Sequence, residues 1–232
     1  MRGAPEKRWP FVTPGIPDGW FGESTLLTKE EVRAVVLAKL RLRRDTVLWD
    51  VGSGLGSVAV EAALLAPAGA VWAVEKDPQR CRMIEANARR FGVANLRVVP
   101  GTAPEALAGL PRPDRIFVGG ASGRVEPVLD AAWRALLPEG RLVLVAVTLE
   151  TLAAAAAWFR GDGRLSEAVC LNVARALPGG PLAVWRGLNP VYVFAADRTP
   201  REAENPQTER GGEPCPLCSA SAWDREIPNS SR

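Results

Sequence analysis

Histidine is absent from the 232-residue sequence. Without imidazole the chain has no Ser/His or Cys/His nucleophile pair, no His-ligated zinc and no side chain whose ordinary pKa lies near neutrality. Hydrolases and oxidoreductases that depend on histidine are therefore excluded. Cysteine is scarce. Of the four present, Cys81 and Cys170 stand alone, and Cys215 and Cys218 form one Cys-x-x-Cys near the end, which is no secreted disulfide framework. No run approaches the roughly 18 apolar residues needed to cross a bilayer. Residues 1–9 are charged and lack the apolar centre of a signal peptide. The expectation is a cytoplasmic protein with no membrane association and no bound metal. Charge of one sign is not in large excess either: 29 Lys and Arg against 26 Asp and Glu leave +3. From Asp197 onward five Arg face seven acids, so the body carries +5 and the tail is slightly acidic. No Lys/Arg run resembles a nucleic-acid arm, and an anionic small molecule is the favoured partner over nucleic acid.

What is present is an ordinary globular composition, 47% hydrophobic and 24% charged, which excludes a disordered or fibrous chain. Residues 1–27, rich in Pro, Gly and Trp, are expected to form an irregular arm whose aromatics pack onto something. Thr28-Lys29-Glu30-Glu31 has the spacing of a capping box ahead of Val32, Val35, Val36, Leu37 and Leu40, and predicts an amphipathic helix ending near Arg41. From Thr46, short apolar runs alternate with helical patterns. Strands are expected over 47–51, 71–74, 96–99, 116–118 and 142–147, and helices over 58–65, 78–91, 125–136 and 152–159. That alternation predicts a mostly parallel sheet with helices on both faces. The runs 165–171 and 191–195, joined only by a Gly/Pro-rich link, are expected to form an antiparallel pair at the sheet edge. The domain is placed at 28–198, and residues 199–232, nearly devoid of apolar content, are expected to be a disordered tail.

The sharpest local signal is Trp49-Asp50-Val51-Gly52-Ser53-Gly54-Leu55-Gly56, at the junction of the first strand and its helix. Glycines there permit a tight turn and let a ligand approach the backbone. Their Gly-x-Gly-x-Gly spacing departs from the dinucleotide Gly-x-Gly-x-x-Gly, and position 57 is Ser, which weakens a nicotinamide or flavin reading. Asp50 would repel a pyrophosphate yet suits a ligand carrying an ammonium and a sulfonium, as S-adenosylmethionine does. Glu75, ending the second strand, can accept both hydroxyls of a ribose. Gly101-Thr102-Ala103-Pro104 follows the third strand, where the adenine would lie. Asp77 reads as the N-cap of the helix after Pro78 rather than as a ligand.

With these residues in place the sequence resembles the class I methyltransferases, and within them the decarboxylating precorrin carbon-15 methyltransferases of cobalamin synthesis. The resemblance covers about residues 14–198. Its specific parts are Gly15-Ile16-Pro17-Asp18, residues 27–33 at the first helix, Gly101 to Leu107, Val118-Gly119-Gly120-Ala121-Ser122-Gly123, Leu171-Asn172-Val173-Ala174-Arg175 and Leu188-Asn189-Pro190-Val191. It implies a Rossmann-like α/β fold and S-adenosylmethionine as cofactor, held by Thr28, Gly52, Ser53, Gly54, Leu55, Gly56, Glu75 and Ala103, to which the reading of the residues above adds Asp50. It implies methylation of carbon 15 of a precorrin-6B-type tetrapyrrole with loss of carbon dioxide from the ring C acetate. The family's Gly-Asp-Ala-Pro is Gly101-Thr102-Ala103-Pro104 here, and its Gly-Gly-Ser-Gly-Gly is Gly119-Gly120-Ala121-Ser122-Gly123. Substrate contacts are expected at Gly119, Gly120, Ser122, Asn172 and Asn189. Arg124, Arg175 and Arg186 are the candidate partners for substrate carboxylates, because guanidinium forks suit them. No residue is assigned a catalytic role. A homotetramer is implied, as is a separate protein for methylation at carbon 5.

Two other readings stay open. A methyltransferase acting on RNA or protein would carry Asn/Asp-Pro-Pro-Tyr/Phe after the fourth strand, where Gly119 to Ser122 stand, and Asn189-Pro190-Val191-Tyr192 lies at the last strand instead. A non-catalytic nucleoside-binding or scaffold protein could use Cys215 and Cys218 with those of a neighbouring chain as a zinc site.

Overall fold

A computed structural model describes residues 9–22, 27–179 and 182–200. Among these described residues, nine strands and five α-helices follow in the order α1 (Glu30–Leu40), β1 (Val47–Val51), α2 (Ser57–Leu65), β2 (Ala70–Glu75), α3 (Pro78–Arg90), β3 (Leu96–Pro100), β4 (Arg115–Val118), α4 (Val125–Ala135), β5 (Arg141–Ala146), α5 (Leu149–Arg160), β6 (Glu167–Leu171), β7 (Ala174–Gly179), β8 (Leu182–Gly187) and β9 (Val191–Asp197). Seven strands form one sheet in the order β3-β2-β1-β4-β5-β9-β6. All pairs from β3 to β5 are parallel, and β9 runs antiparallel to both β5 and β6. The antiparallel pair at the sheet edge thus has β6 outermost.

The period-2 alternation of the strands divides the core between two faces. On one face Leu48, Phe117, Val143 and Val145 pack with α1, α2 and α3. On the other, Trp49, Ile116, Leu142 and Leu144 pack with α4 and α5, around Trp133, Trp158 and Phe159. Both faces of every central strand are covered, as parallel sheets require.

The arm is part of the first face. Ile16 and Phe21 are buried in it, Trp20 stacks on Phe91 with 6.3 Å between ring centroids, and Trp9 meets Trp20 edge-on at 6.0 Å. A buried ion pair fixes its course. Arg33 Nε donates to Glu61 Oε1 at 2.5 Å, and both side chains are buried. The guanidinium also donates to the carbonyls of Ile16 and Thr28 and to Asp18 Oδ1. Glu61 in turn accepts the backbone N–H groups of Gly15 and Ile16 at 2.7 and 3.1 Å. Every group of this pair therefore has partners, the condition under which a buried charge pair is tolerated.

Two expectations are corrected. The capping box does not form: Lys29 is the N-cap of α1 with no side-chain cap bond. Glu31 is drawn away from reciprocal capping by Arg175, whose Nε and Nη2 donate to its two oxygens at 2.7 and 2.6 Å. The link between β6 and β9 is not featureless either. It holds the antiparallel hairpin β7–β8, in register from Ala174↔Gly187 to Gly179↔Leu182. By contrast α1 does end at Arg41, in the left-handed conformation with φ 51°, and Asp77 does cap α3, accepting from the N–H groups of Gln79 and Arg80. Within the tail expected from 199, residues 201–232, with Cys215 and Cys218, lie outside the described residues.

Candidate active site

Parallel strands deliver their carboxyl ends to one edge of the sheet, and the loops that follow β1, β2, β3 and β4 meet there around a cleft of about 150 Å³. The glycine loop makes its floor. Gly52 and Ser53 donate their N–H groups to the Val74 carbonyl at 2.9 and 3.1 Å, which folds the loop back over β2. Gly52 has φ +73°, and a Cβ there would lie 2.4 Å from the Gly120 carbonyl oxygen. Only glycine lets the β1 and β4 loops approach so closely. Gly119 and Gly120 complete the contact by donating to the Val51 carbonyl.

Glu75 stands at the end of β2 and lines the cleft. Its Oε2 accepts from Gly54 N–H at 2.9 Å and its Oε1 from Asp77 N–H at 3.0 Å. Each oxygen has capacity for a further donor, so the carboxylate is held in a fixed orientation while still able to accept hydroxyls. Gly101, Thr102 and Ala103 close the side beyond β3, and Gly119 to Ser122 the side of β4.

Asp50 is completely buried beneath the loop rather than in the cleft wall. Its Oδ2 accepts the Ser53 hydroxyl at 2.8 Å, while Oδ1 has no hydrogen-bond partner. Burial pushes its carboxyl up to about 7, opposed by the Ser53 hydroxyl and the Ala59 backbone N–H and assisted by the negative charge of Glu75.

Of the residues expected to hold cofactor, Gly52, Gly54, Glu75 and Ala103 line the cleft. Asp50, Ser53, Leu55 and Gly56 lie behind it. Leu55 is in the core, and Gly56, with φ +76°, is where α2 packs on α3: a Cβ would come 2.8 Å from Ile84 Cγ2. Thr28 is not in the wall, and its carbonyl is taken by Arg33. Thr102, expected near the adenine, lines the cleft, and so do Lys76 and Arg80, which the sequence does not single out for this role. Arg80 lies 3.8 Å from Glu75 and 3.6 Å from Asp77, one helical turn into α3. A charged residue opening a helix looks like surface in a sequence unless the strand end beside it is known.

Of the residues expected to hold substrate, Gly119, Gly120 and Ser122 line the same cleft. Arg124 stands just beyond, exposed and bidentate to Glu105 at 2.9 and 2.8 Å, and holds the Glu105 carboxyl below its ordinary range. This pair joins the loop after β3 to the loop after β4. Arg175 is not in the cleft wall; its guanidinium pairs with Glu31 and with Asp18 Oδ2 at 2.9 Å and ties β7 to α1 and the arm. Arg186 opposes it across the hairpin, exposed and outside the cleft. Asn172 and Asn189, also exposed, follow β6 and precede β9. They share the sheet edge that carries the cleft but lie beyond β5. No metal-binding cluster of His, Cys, Asp or Glu occurs among the described residues.

A cleft at the carboxyl ends of β1 to β4, with a glycine loop for a floor and an oriented carboxylate at the end of β2, fits a nucleoside whose ribose meets that carboxylate. Comparisons with known proteins agree. The model of the precorrin methyltransferase domain matches residues 19–198. A protein of Pyrobaculum calidifontis named probable cobalt-precorrin-6B C(15)-methyltransferase (decarboxylating) is 46% identical over 192 residues, covering 81% of this chain and 98% of that one. A precorrin-6Y C(5,15)-methyltransferase [decarboxylating] of a Sinorhizobium species is 41% identical over 181 residues, which make up 78% of this chain and 43% of that longer one. The crystal structure of precorrin-6Y C5,15-methyltransferase from Geobacter metallireducens superposes with a TM-score of 0.76 at 42% identity, covering 81% of this chain and 99% of that one. An S-adenosylmethionine-dependent O-methyltransferase from Thermotoga maritima, 18% identical with a TM-score of 0.60 over 76% of this chain and 68% of its own, shares the fold.

Proposed function

The chain belongs to the precorrin methyltransferase domain family, and on that premise we propose that it methylates carbon 15 of a cobalt-precorrin-6B-type tetrapyrrole and decarboxylates its ring C acetate, in cobalamin biosynthesis. It is a decarboxylating C-methyltransferase of the class I fold. The observation that carries the reading to this chain's own residues is the cleft itself, with Glu75 oriented by Gly54 and Asp77 and with the Gly52–Gly120 contact beneath it.

S-adenosylmethionine, when bound, supplies the methyl group from its sulfonium. The chain's own part is to hold and align. Glu75 accepts the ribose hydroxyls. The loop from Gly52 to Gly54 brings backbone against the ligand where a side chain would collide, and Ala103 and Thr102 border the base. Asp50, buried behind the loop, is the acid proposed to face the cationic end. In-line transfer to an electron-rich ring carbon gains most from this alignment and needs no histidine. In the decarboxylation the electron pair of the breaking C–C bond passes into the conjugated macrocycle and a proton then replaces the lost carboxyl, so the protein's task is positioning. Arg124, at the mouth, is the nearest proposed partner for a substrate carboxylate, in exchange for Glu105. Gly119, Gly120 and Ser122 form the border between cofactor and macrocycle.

The assembly is a homotetramer, and it acts in the cytoplasm. Supporting the first is the hairpin β7–β8, which exposes Leu182, Val184 and Trp185. Among the described residues no helix is long and apolar enough to cross a membrane.

Mass spectrometry of cobalt-precorrin-6B incubated with the protein and S-adenosylmethionine tests the reading, with Glu75→Ala as control. The expected product has gained one methyl group and lost carbon dioxide, and is absent with the variant. Cofactor binding with an unchanged macrocycle would remove the precorrin assignment and turn attention to RNA or protein substrates.

A further inference from the structure

Among the described residues, two exposed large apolar side chains stand at the carboxyl edge of the sheet that carries the cleft. Val147, the first residue after β5, is 62% exposed, and Leu149, the first residue of α5, is 79% exposed. Their placement follows from the sheet order. β5 is the neighbour of β4 on the side away from β1, so the chain leaves β5 at the carboxyl edge, directly beside the loop Gly119 to Ser122 that borders the cleft. The cleft lining on that side is Gly119, Gly120, Ala121 and Ser122, all small residues. On the opposite flank the cleft is bounded by Lys76, Arg80 and Thr102, a polar border. The two apolar residues are also held firmly. β5 is paired on both sides as far as Leu144 with β4 and Ala146 with β9. Thr148 lies between them and caps α5, its hydroxyl accepting from Thr151 N–H at 3.2 Å.

Methyl transfer requires the acceptor carbon to lie against the donor, so the substrate must enter over one flank of the cleft. A conjugated macrocycle is flat and apolar in its faces and anionic only at its rim. We propose that Val147 and Leu149 form the apolar seat on which one face of the tetrapyrrole rests, making them specificity-determining residues. This deepens the functional reading above and rests on it. The seat lies between the cleft and the turn that carries Asn189 into β9, whose Tyr192 pairs with Ala146. Asn189 and Asn172 therefore stand at the far rim, where the peripheral acids of the substrate would reach, while Arg124 stands at the near one.

The test is the double variant Val147→Ser/Leu149→Ser, at exposed positions where folding is unaffected. Calorimetric affinity for S-adenosylmethionine is expected to be unchanged. The KM for cobalt-precorrin-6B is expected to rise about 100-fold, roughly tenfold for each lost apolar contact, with kcat changed much less. Val147→Ile/Leu149→Met should restore it. Leu165→Ser, exposed at the opposite end of the sheet, serves as the control. A KM for the double variant within twofold of both wild type and control would overturn the seat. Quenching of tryptophan fluorescence by the tetrapyrrole separates the two levels of inference. If wild type binds the macrocycle without methylating it, the functional reading falls while the double variant's binding still decides the seat; if wild type neither binds nor methylates it, both fall.

Discussion

Asp50 is a carboxyl in a place where its charge is costly: fully buried, with one hydroxyl partner and one oxygen unpaired. An acid whose folded pKa is raised, here from 3.8 to about 7, binds its proton more tightly in the native state than in the unfolded chain. Its contribution to stability is therefore complete below about pH 4 and is lost as the pH rises through about 7. Asp50→Asn, which keeps the shape and can still accept from Ser53, has no such loss. Urea unfolding of both proteins from pH 4 to 8 should show wild type falling relative to the variant as pH rises, and parallel curves would contradict the burial argument. At Glu75 the expectation differs, because its two oxygens already take Gly54 and Asp77 N–H groups. Glu75→Gln leaves one acceptor oxygen and removes the charge, and the dissociation constant for S-adenosylmethionine should rise about 30- to 100-fold, equivalent to ~2–3 kcal/mol for hydrogen bonds to a charged group. Titration calorimetry reads it directly.

The loops that end the strands are the elements on which the cleft depends, and the glycines in them are not equivalent. Gly52→Ala must separate the β1 and β4 loops, since its Cβ would meet Gly120 backbone at 2.4 Å, and a loss of about 3 kcal/mol together with loss of cofactor binding is expected. Gly123→Ala also sits at positive φ, +80°, but nothing lies within 4 Å, so only the left-handed backbone cost of roughly 1–2 kcal/mol remains. Thermal melts of the two variants, with and without cofactor, distinguish contact from conformation. Both glycines stand out in the sequence, yet only the fold tells them apart, because the neighbour that Gly52 touches is 68 residues away. The strand–helix alternation, the glycine loop and the acid ending β2 were legible because each is a local pattern: a period, a turn residue, a strand end. The hairpin β7–β8 was not, since Pro178-Gly179-Gly180-Pro181 reads as a break and hides the two short strands it joins. The pairing of Arg175 is equally hidden in the sequence: guanidinium forks suit carboxylates, and Glu31 and Asp18, distant in sequence, supply them within the chain.

Across the whole molecule the arm, α1 and α2 are joined by the Arg33–Glu61 pair, and its rupture should be felt globally. Arg33→Met removes one charge and leaves Glu61 buried without its counter-ion, for which about 3–5 kcal/mol is the usual loss. A fall in melting temperature and faster proteolysis within the arm are the expected signs, and near-wild-type stability would mean that water replaces the guanidinium. The exposed hairpin bears on the proposed tetramer: Leu182→Ser/Trp185→Ser should shift that assembly to smaller species by light scattering, with cofactor affinity intact. The placement of β9 has a consequence of another kind, for how the chain is made. Among the described residues, 167–171 pair with no strand but β9, and β9 also supplies the second neighbour of β5. A ribosome that has finished β6 must still emit the whole hairpin before residues 191–197 arrive between two waiting edges. Until then the nascent chain carries two open, apolar strand borders, so the interval of greatest hazard for this protein in the cell falls late in its synthesis, and chains terminated before residue 191 should accumulate in inclusion bodies rather than as a shortened enzyme.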